Sequence, residues 1–149
     1  MSRAVTDRLL VPIANEDDAQ RTCESIRAYF DDETGPLPTI VAVHVIEKGG
    51  GAIDKAPMDL RKEQAEVVFK IVERVLDPAG FDVETDLLFG TDLVETIVDA
   101  VDETDATAIA FLPREGGFLV RFLSGNLARD LVMESPVPVI TFPTEDAVS

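Results

Sequence analysis

The chain has 149 residues, 46% hydrophobic and 28% charged, and its 13 Lys and Arg against 29 Asp and Glu leave a formal net charge of −16. That much apolar side chain excludes a disordered polyanion, and the length suits a single domain spanning residues 1–149. The charge excludes a nucleic-acid surface, which needs a basic patch to neutralise phosphates, and no run approaches the ~18 apolar residues of a membrane span.

Arg8-Leu-Leu-Val-Pro-Ile-Ala14 is a continuous apolar run of the kind buried on both faces of a parallel sheet, and it predicts a first strand. After Asn15 to Asp18, apolar residues fall at Ala19, Cys23, Ile26 and Phe30, one face of an acid-started helix that ends near Gly35-Pro36. Thr39 to Ile46 is a second β-branched run, stopped at Lys48-Gly-Gly-Gly51. Met58 to Leu76 carries a helical stripe of Val68, Ile71, Val72 and Val75, with Pro78 and Gly80 as the stop. Phe81 to Phe89 predicts a third strand, and Asp92-Leu-Val-Glu95 is a capping-box pattern opening a helix buried through Leu93, Val94, Ile97, Val98 and Val101. Ala108 to Leu112 is a fourth strand, Pro113 to Ser124 a long loop, Gly125 to Glu134 a fourth helix, and Val137 to Phe142 a fifth strand.

The order βαβαβαβαβ predicts an α/β fold: an open, doubly wound, five-stranded parallel sheet with helices on both faces. Ligands of such sheets lie beyond the carboxyl ends of the strands, which directs attention to the loops beginning at Ala14, Glu47 and Pro113.

Few residue types are available for chemistry. Cys23 is the single cysteine, on the apolar stripe of the first helix, and reads as a small core residue. His44 is the single histidine; it reads as a hydrogen-bonded strand residue, with a pH-sensitive or ligand role as the alternative. Asp17-Asp18 and Asp31-Asp32-Glu33 lack the order of a calcium loop and read as solvated charges flanking a helix. No nucleophile and base pair is visible, so no catalytic residue and no metal site are expected.

The strand start Leu9-Leu-Val-Pro-Ile13, the strand end His44-Val-Ile-Glu47, the loop into Gly125 and the segment Ser135-Pro-Val-Pro-Val-Ile-Thr-Phe-Pro143 together resemble the universal stress protein family over nearly the whole chain. The resemblance implies the adenine-nucleotide alpha-hydrolase-like version of this sheet, often dimerised through its last strand, with nucleotide-binding and non-binding branches. The binding branch has an acidic residue after the first strand and a loop of the form G-x2-G-x9-G-[ST]. Here the acidic position is Ala14, the three glycine positions are Leu112, Glu115 and Gly125, and Asn126 holds the Ser/Thr position. One mark of five survives, so the motif is degraded. No cofactor is expected, with ATP as the alternative.

If a nucleotide or other anion does bind, the resemblance points to Val45 at the adenine and to Arg114, Gly116, Gly117, Arg121, Gly125 and Asn126 around the phosphates. Gly125-Asn126 reads equally as a plain helix cap, Gly116-Gly117 as a loop turn, and the two arginines as partners for surplus carboxylates.

Val137, Val139, Ile140 and Phe142 place apolar side chains on both faces of an edge strand, which predicts a homodimer interface. The 29 acids are spread along the chain beside only four lysines, the pattern of a halophile's salt-tolerant surface; an acidic face for a basic partner is the alternative. The functional expectation is a cytoplasmic, non-enzymatic module of stress response or signalling with an unknown protein partner. An ATP-binding switch or slow ATPase is the runner-up, and a small-ligand or flavoprotein-type α/β domain a third reading.

Overall fold

A computed structural model describes residues 4–31, 35–47, 58–112 and 127–143. The strands are β1 (Arg8–Pro12), β2 (Thr39–Glu47), β3 (Asp82–Gly90), β4 (Ala108–Phe111) and β5 (Val139–Thr141). The helices are α1 (Glu16–Tyr29), α2 (Met58–Leu76), α3 (Leu93–Thr104) and α4 (Leu127–Glu134), with a 3₁₀ turn at Asp77–Ala79.

All strand pairs are parallel, in the order β3-β2-β1-β4-β5. The centre of the sheet is its most apolar part: Leu9, Leu10 and Val11 of β1 and Ala108, Ile109 and Ala110 of β4 are fully buried. Alternation along the strands divides the core in two. Leu9, Val11, Ile40, Ala42, Ala108 and Ala110 face α1 and α2, meeting Cys23, Ile26, Val68 and Val72. Leu10, Val41, Val43, Ile109 and Phe111 face α3 and α4, meeting Ile97, Val101 and Leu131. This is the doubly wound sheet expected from the element order.

Local chemistry sets the element ends. Asn15 caps α1 by accepting the Asp18 N–H at 2.8 Å, and Asp92 caps α3 by accepting from Glu95 N at 3.1 Å. Gly80 stops the α2 segment at φ 94°, a left-handed conformation that glycine takes without a Cβ penalty. At the amino-terminal end of the sheet, Arg8 forms a bidentate pair with Glu84 on β3, at 2.9 and 2.6 Å, and donates to the Thr104 carbonyl. The hydrogen bond from Arg8 holds the Glu84 carboxyl below its ordinary pKa.

Several boundaries differ from expectation. The first helix ends at Tyr29 instead of near Gly35-Pro36, because Phe30 turns into the core and its N–H closes the last turn on Ile26 O at 3.1 Å. The last strand is Val139–Thr141, shorter than Val137 to Phe142. A turn in which Ser135 Oγ bonds both the N–H and the carbonyl of Val137 keeps Val137 out of the ladder, and Pro138 enters it only through its carbonyl, which accepts from Ile109 N at 2.9 Å. Asp18 is a further correction: it is buried, while its neighbour Asp17 is solvated as expected.

The edge residues divide accordingly. Phe142 is not an exposed edge residue, since it is buried in the chain's own core with its ring edge-on to Tyr29 at 5.6 Å. Val137 and Val139 pack partly against the α3/α4 core and Ile140 partly against the α1/α2 core. Only Val139 and Ile140 of the four lie on β5 itself.

Candidate functional site

The carboxyl ends of β1 and β2 open into a cavity of about 280 Å³. The β1–α1 turn contributes Ala14, Asn15 and Glu16 to its wall. The end of β2 contributes His44, Val45, Ile46 and Glu47, and α2 supplies Arg61, Gln64 and Val68. Positions 61, 64 and 68 recur at helical spacing, so one face of α2 looks into the cavity and continues downward into the core through Val72 and Val75.

The turn after β1 is held from inside. The buried Asp18 carboxylate accepts the Ala14 N–H at 2.8 Å and the Thr22 hydroxyl at 3.0 Å, while Asn15 Oδ1 takes the Asp18 N–H. The first turn of α1 therefore carries Glu16, Asp17 and Asp18, three carboxylates on the positive end of its own dipole. The Ala14 and Asp18 N–H groups of this turn are thus taken by the chain's own side chains.

His44 is fixed in orientation. Its Nδ1 lies 2.8 Å from the Ile13 carbonyl, and since a carbonyl only accepts, Nδ1 carries the hydrogen. The ring thus bridges β2 to the end of β1 and borders the cavity at once. Arg61 donates from its guanidinium to the Glu47 carbonyl oxygen at 2.7 Å, tying α2 to the end of β2. Formal charges on the wall are the carboxylates of Glu16 and Glu47 and the single guanidinium of Arg61.

Cys23 lies away from this site, under α1, and burial pushes its thiol pKa up to about 12 with Asp18 adding to the shift. A thiol so hard to ionise is a packing group and no nucleophile. Among the described residues no group of His, Cys, Asp and Glu side chains is arranged to hold a metal ion.

Of the expected nucleotide or anion residues, the structure places Val45, half-buried, on the cavity wall. Arg114, Gly116, Gly117, Arg121, Gly125 and Asn126 lie outside the described residues. Glu16, Glu47, Arg61 and Gln64 were not anticipated as site residues. Arg61 and Gln64 left a trace in the sequence, being polar positions in phase with the apolar stripe at Val68, Val72 and Val75.

Placing the cavity at the carboxyl ends of parallel strands matches the position ligands take in open α/β sheets, and comparisons with known proteins agree on the fold. The universal stress protein of Archaeoglobus fulgidus superposes with a TM-score of 0.61 at 24% identity, over 91% of this chain and 93% of that one. A structure of the Archaeoglobus fulgidus universal stress protein in complex with dAMP gives 0.60 at 25% identity, over 94% and 100%. An Arabidopsis thaliana universal stress protein family protein with AMP bound gives 0.61 at 17% identity, over 93% of each chain. No curated protein matches the sequence. The model of the universal stress protein family matches residues 6–143, from just before β1 to just past β5, which leaves the flavoprotein reading without support. With that match spanning every strand and helix described, the chain belongs to the universal stress protein family.

Proposed function

We propose that this chain is a non-enzymatic, cytoplasmic stress-response module of haloarchaeal type that does not hold ATP tightly, and that acts as a homodimer on a protein partner. The observation that carries this reading is the β1–α1 turn. Its Ala14 stands where the nucleotide-binding branch has an acid, the Ala14 N–H is spent on Asp18, and three carboxylates occupy the helix start. Glu16 and Glu47 on the cavity wall add repulsion for a triphosphate. Glu115 at a glycine position of the degraded loop points the same way.

The homodimer reading rests on β5 as an edge strand, with Val139 and Ile140 on it and Val132 and Met133 of α4 well exposed close by in sequence.

Isothermal titration of ATP-Mg²⁺ into the full chain in molar KCl tests the reading, together with a check for nucleotide released on denaturation. The expected result is no binding tighter than ~100 μM, about 5.5 kcal/mol. Tighter binding would overturn it in favour of an ATP-binding switch or slow ATPase. That second reading is supported by the cavity beside Val45 and by relatives solved with dAMP and AMP. It would draw on Arg114, Gly116, Gly117, Arg121, Gly125 and Asn126 for the phosphates.

A further inference from the structure

The sheet has an edge at each end of its strand order, and the homodimer reading above uses only β5. The opposite edge, β3, runs nine residues without a proline and pairs with β2 along its whole length, from Asp82 opposite Thr39 to Gly90 opposite Glu47. Alternate residues of such a strand turn both N–H and C=O away from β2, and along residues 82–88 no other described element takes them up.

Side chains divide by parity along this edge. Val83 packs against the α1/α2 core and Leu88 against the α3/α4 core, so Val83, Thr85, Leu87 and Phe89 share the α2 side and Asp82, Glu84 and Asp86 the α3 side. On the first side Leu87 is half-buried and Phe89 is 40% exposed, with Lys62 Nζ 5.8 Å from its ring centroid. On the second, Glu84 is held at both oxygens by Arg8, whereas Asp82 and Asp86 are exposed and form no ion pair among the described residues.

We propose that the outer edge of β3 is the docking strand for an extended segment of a partner protein in which basic and apolar residues alternate. This rests on the reading above that the module acts on a protein partner, and deepens it by naming the surface and the partner's chemistry. Added as a further strand, the segment takes its affinity from main-chain hydrogen bonds and its selectivity from alternate side chains. Residues four apart in an extended chain are ~13 Å apart, so two basic side chains at that spacing meet Asp82 and Asp86 together. Apolar residues of the opposite parity fall on the side of Leu87 and Phe89. A second copy does not suit this edge, because pairing two β3 strands would set one acidic row against the other. The charges that keep the edge from its own kind thus select a cationic strand.

The probe is a fluorophore-labelled synthetic peptide of the length of β3 that alternates lysine and valine. It is titrated into the full chain in ~0.5 M KCl, so that general attraction to a net charge of −16 is largely screened. Saturable binding is expected, and it should be lost when the peptide's backbone nitrogens are methylated, which removes the ladder donors and leaves the charges unchanged. Asp82→Asn with Asp86→Asn should weaken binding about tenfold, while the same loss of charge on α1, Asp17→Asn with Glu24→Gln, should leave it unchanged. No binding by the lysine–valine peptide would overturn this inference alone and leave the ATP-weak module with its partner at another surface. Binding that survives methylation, or that falls equally in both double variants, would be attraction to the chain's overall charge and would overturn it as well. Concentration-dependent protection of β3 amides from hydrogen exchange in the chain alone would give the edge to a second copy instead.

Discussion

Asp18 is the residue on which the site's geometry turns. A carboxylate in the first turn of a helix is ordinarily solvated, but this one is 1% exposed and holds both the Ala14 N–H and the Thr22 hydroxyl. Asp18→Ala should lower the unfolding free energy by about 2 kcal/mol, the cost of losing charge-assisted hydrogen bonds and leaving a buried N–H without its acceptor. Asp17→Ala, one position earlier, removes only an exposed carboxylate 3.4 Å from Arg21 and should cost at most ~0.5 kcal/mol. Urea denaturation of the two variants separates them, and equal losses would refute the buried role. Nothing in the sequence distinguishes the two aspartates. Their difference comes from where β1 ends, because the backbone that Asp18 grips exists only once Ile13 N has bonded to Val43 O at 2.9 Å. His44 was legible as a hydrogen-bonded strand residue, and it is one; its place on a cavity wall depends on α2, which the sequence around it does not reveal.

At the scale of elements, periodicity located every strand and helix described, since continuous β-branched runs and three-to-four spacing leave few alternatives. Ends were less legible, as at Phe30, which is in phase with the apolar stripe yet caps the helix, and at Ser135, whose hydroxyl closes a turn before the strand. The candidate phosphate loop was legible only through the family pattern, and its residues fall outside the described part of the chain. The junction of β3 and α3 carries a constraint of its own. At Gly90 a Cβ would run into Thr96 Oγ1, which is itself bonded to the Asp92 carbonyl at 2.7 Å. Gly90→Ala should therefore destabilise by about 1–3 kcal/mol through overpacking. Thr96→Ala alone loses a single exposed hydrogen bond, about 0.5–1 kcal/mol. Combined, the two should cost less than their sum, because removing the hydroxyl makes room for the new methyl. Strict additivity in thermal denaturation would place the strain elsewhere.

For the whole molecule the governing quantity is a net charge of −16, with four lysines and nine arginines against 29 acids. Such self-repulsion is relieved as the Debye length falls from ~10 Å at 0.1 M salt to ~3 Å at 1 M. Melting temperature should therefore rise steadily with KCl and drop markedly on dialysis below ~0.2 M. Light scattering across the same series should give twice the 16.2 kDa chain mass at high salt, with dissociation toward the monomer as salt is withdrawn. A salt-independent melt would refute the halophile reading, and a monomer in ~2 M KCl would refute the dimer. The strand order bears on how such a chain comes together. Because β1 sits between β2 and β4, the first three strands can associate while one flank of β1 has no neighbour. The backbone N–H and C=O groups of Leu9 and Leu10 on that flank find their ladder partners only with Ala108 and Ile109, about a hundred residues later in synthesis. A chain cut short after Gly90 would present an unpaired strand edge and, without α3 and α4, a bare apolar face of Leu10, Val41 and Val43, so in this topology the fate of a truncated product is aggregation instead of a smaller working protein.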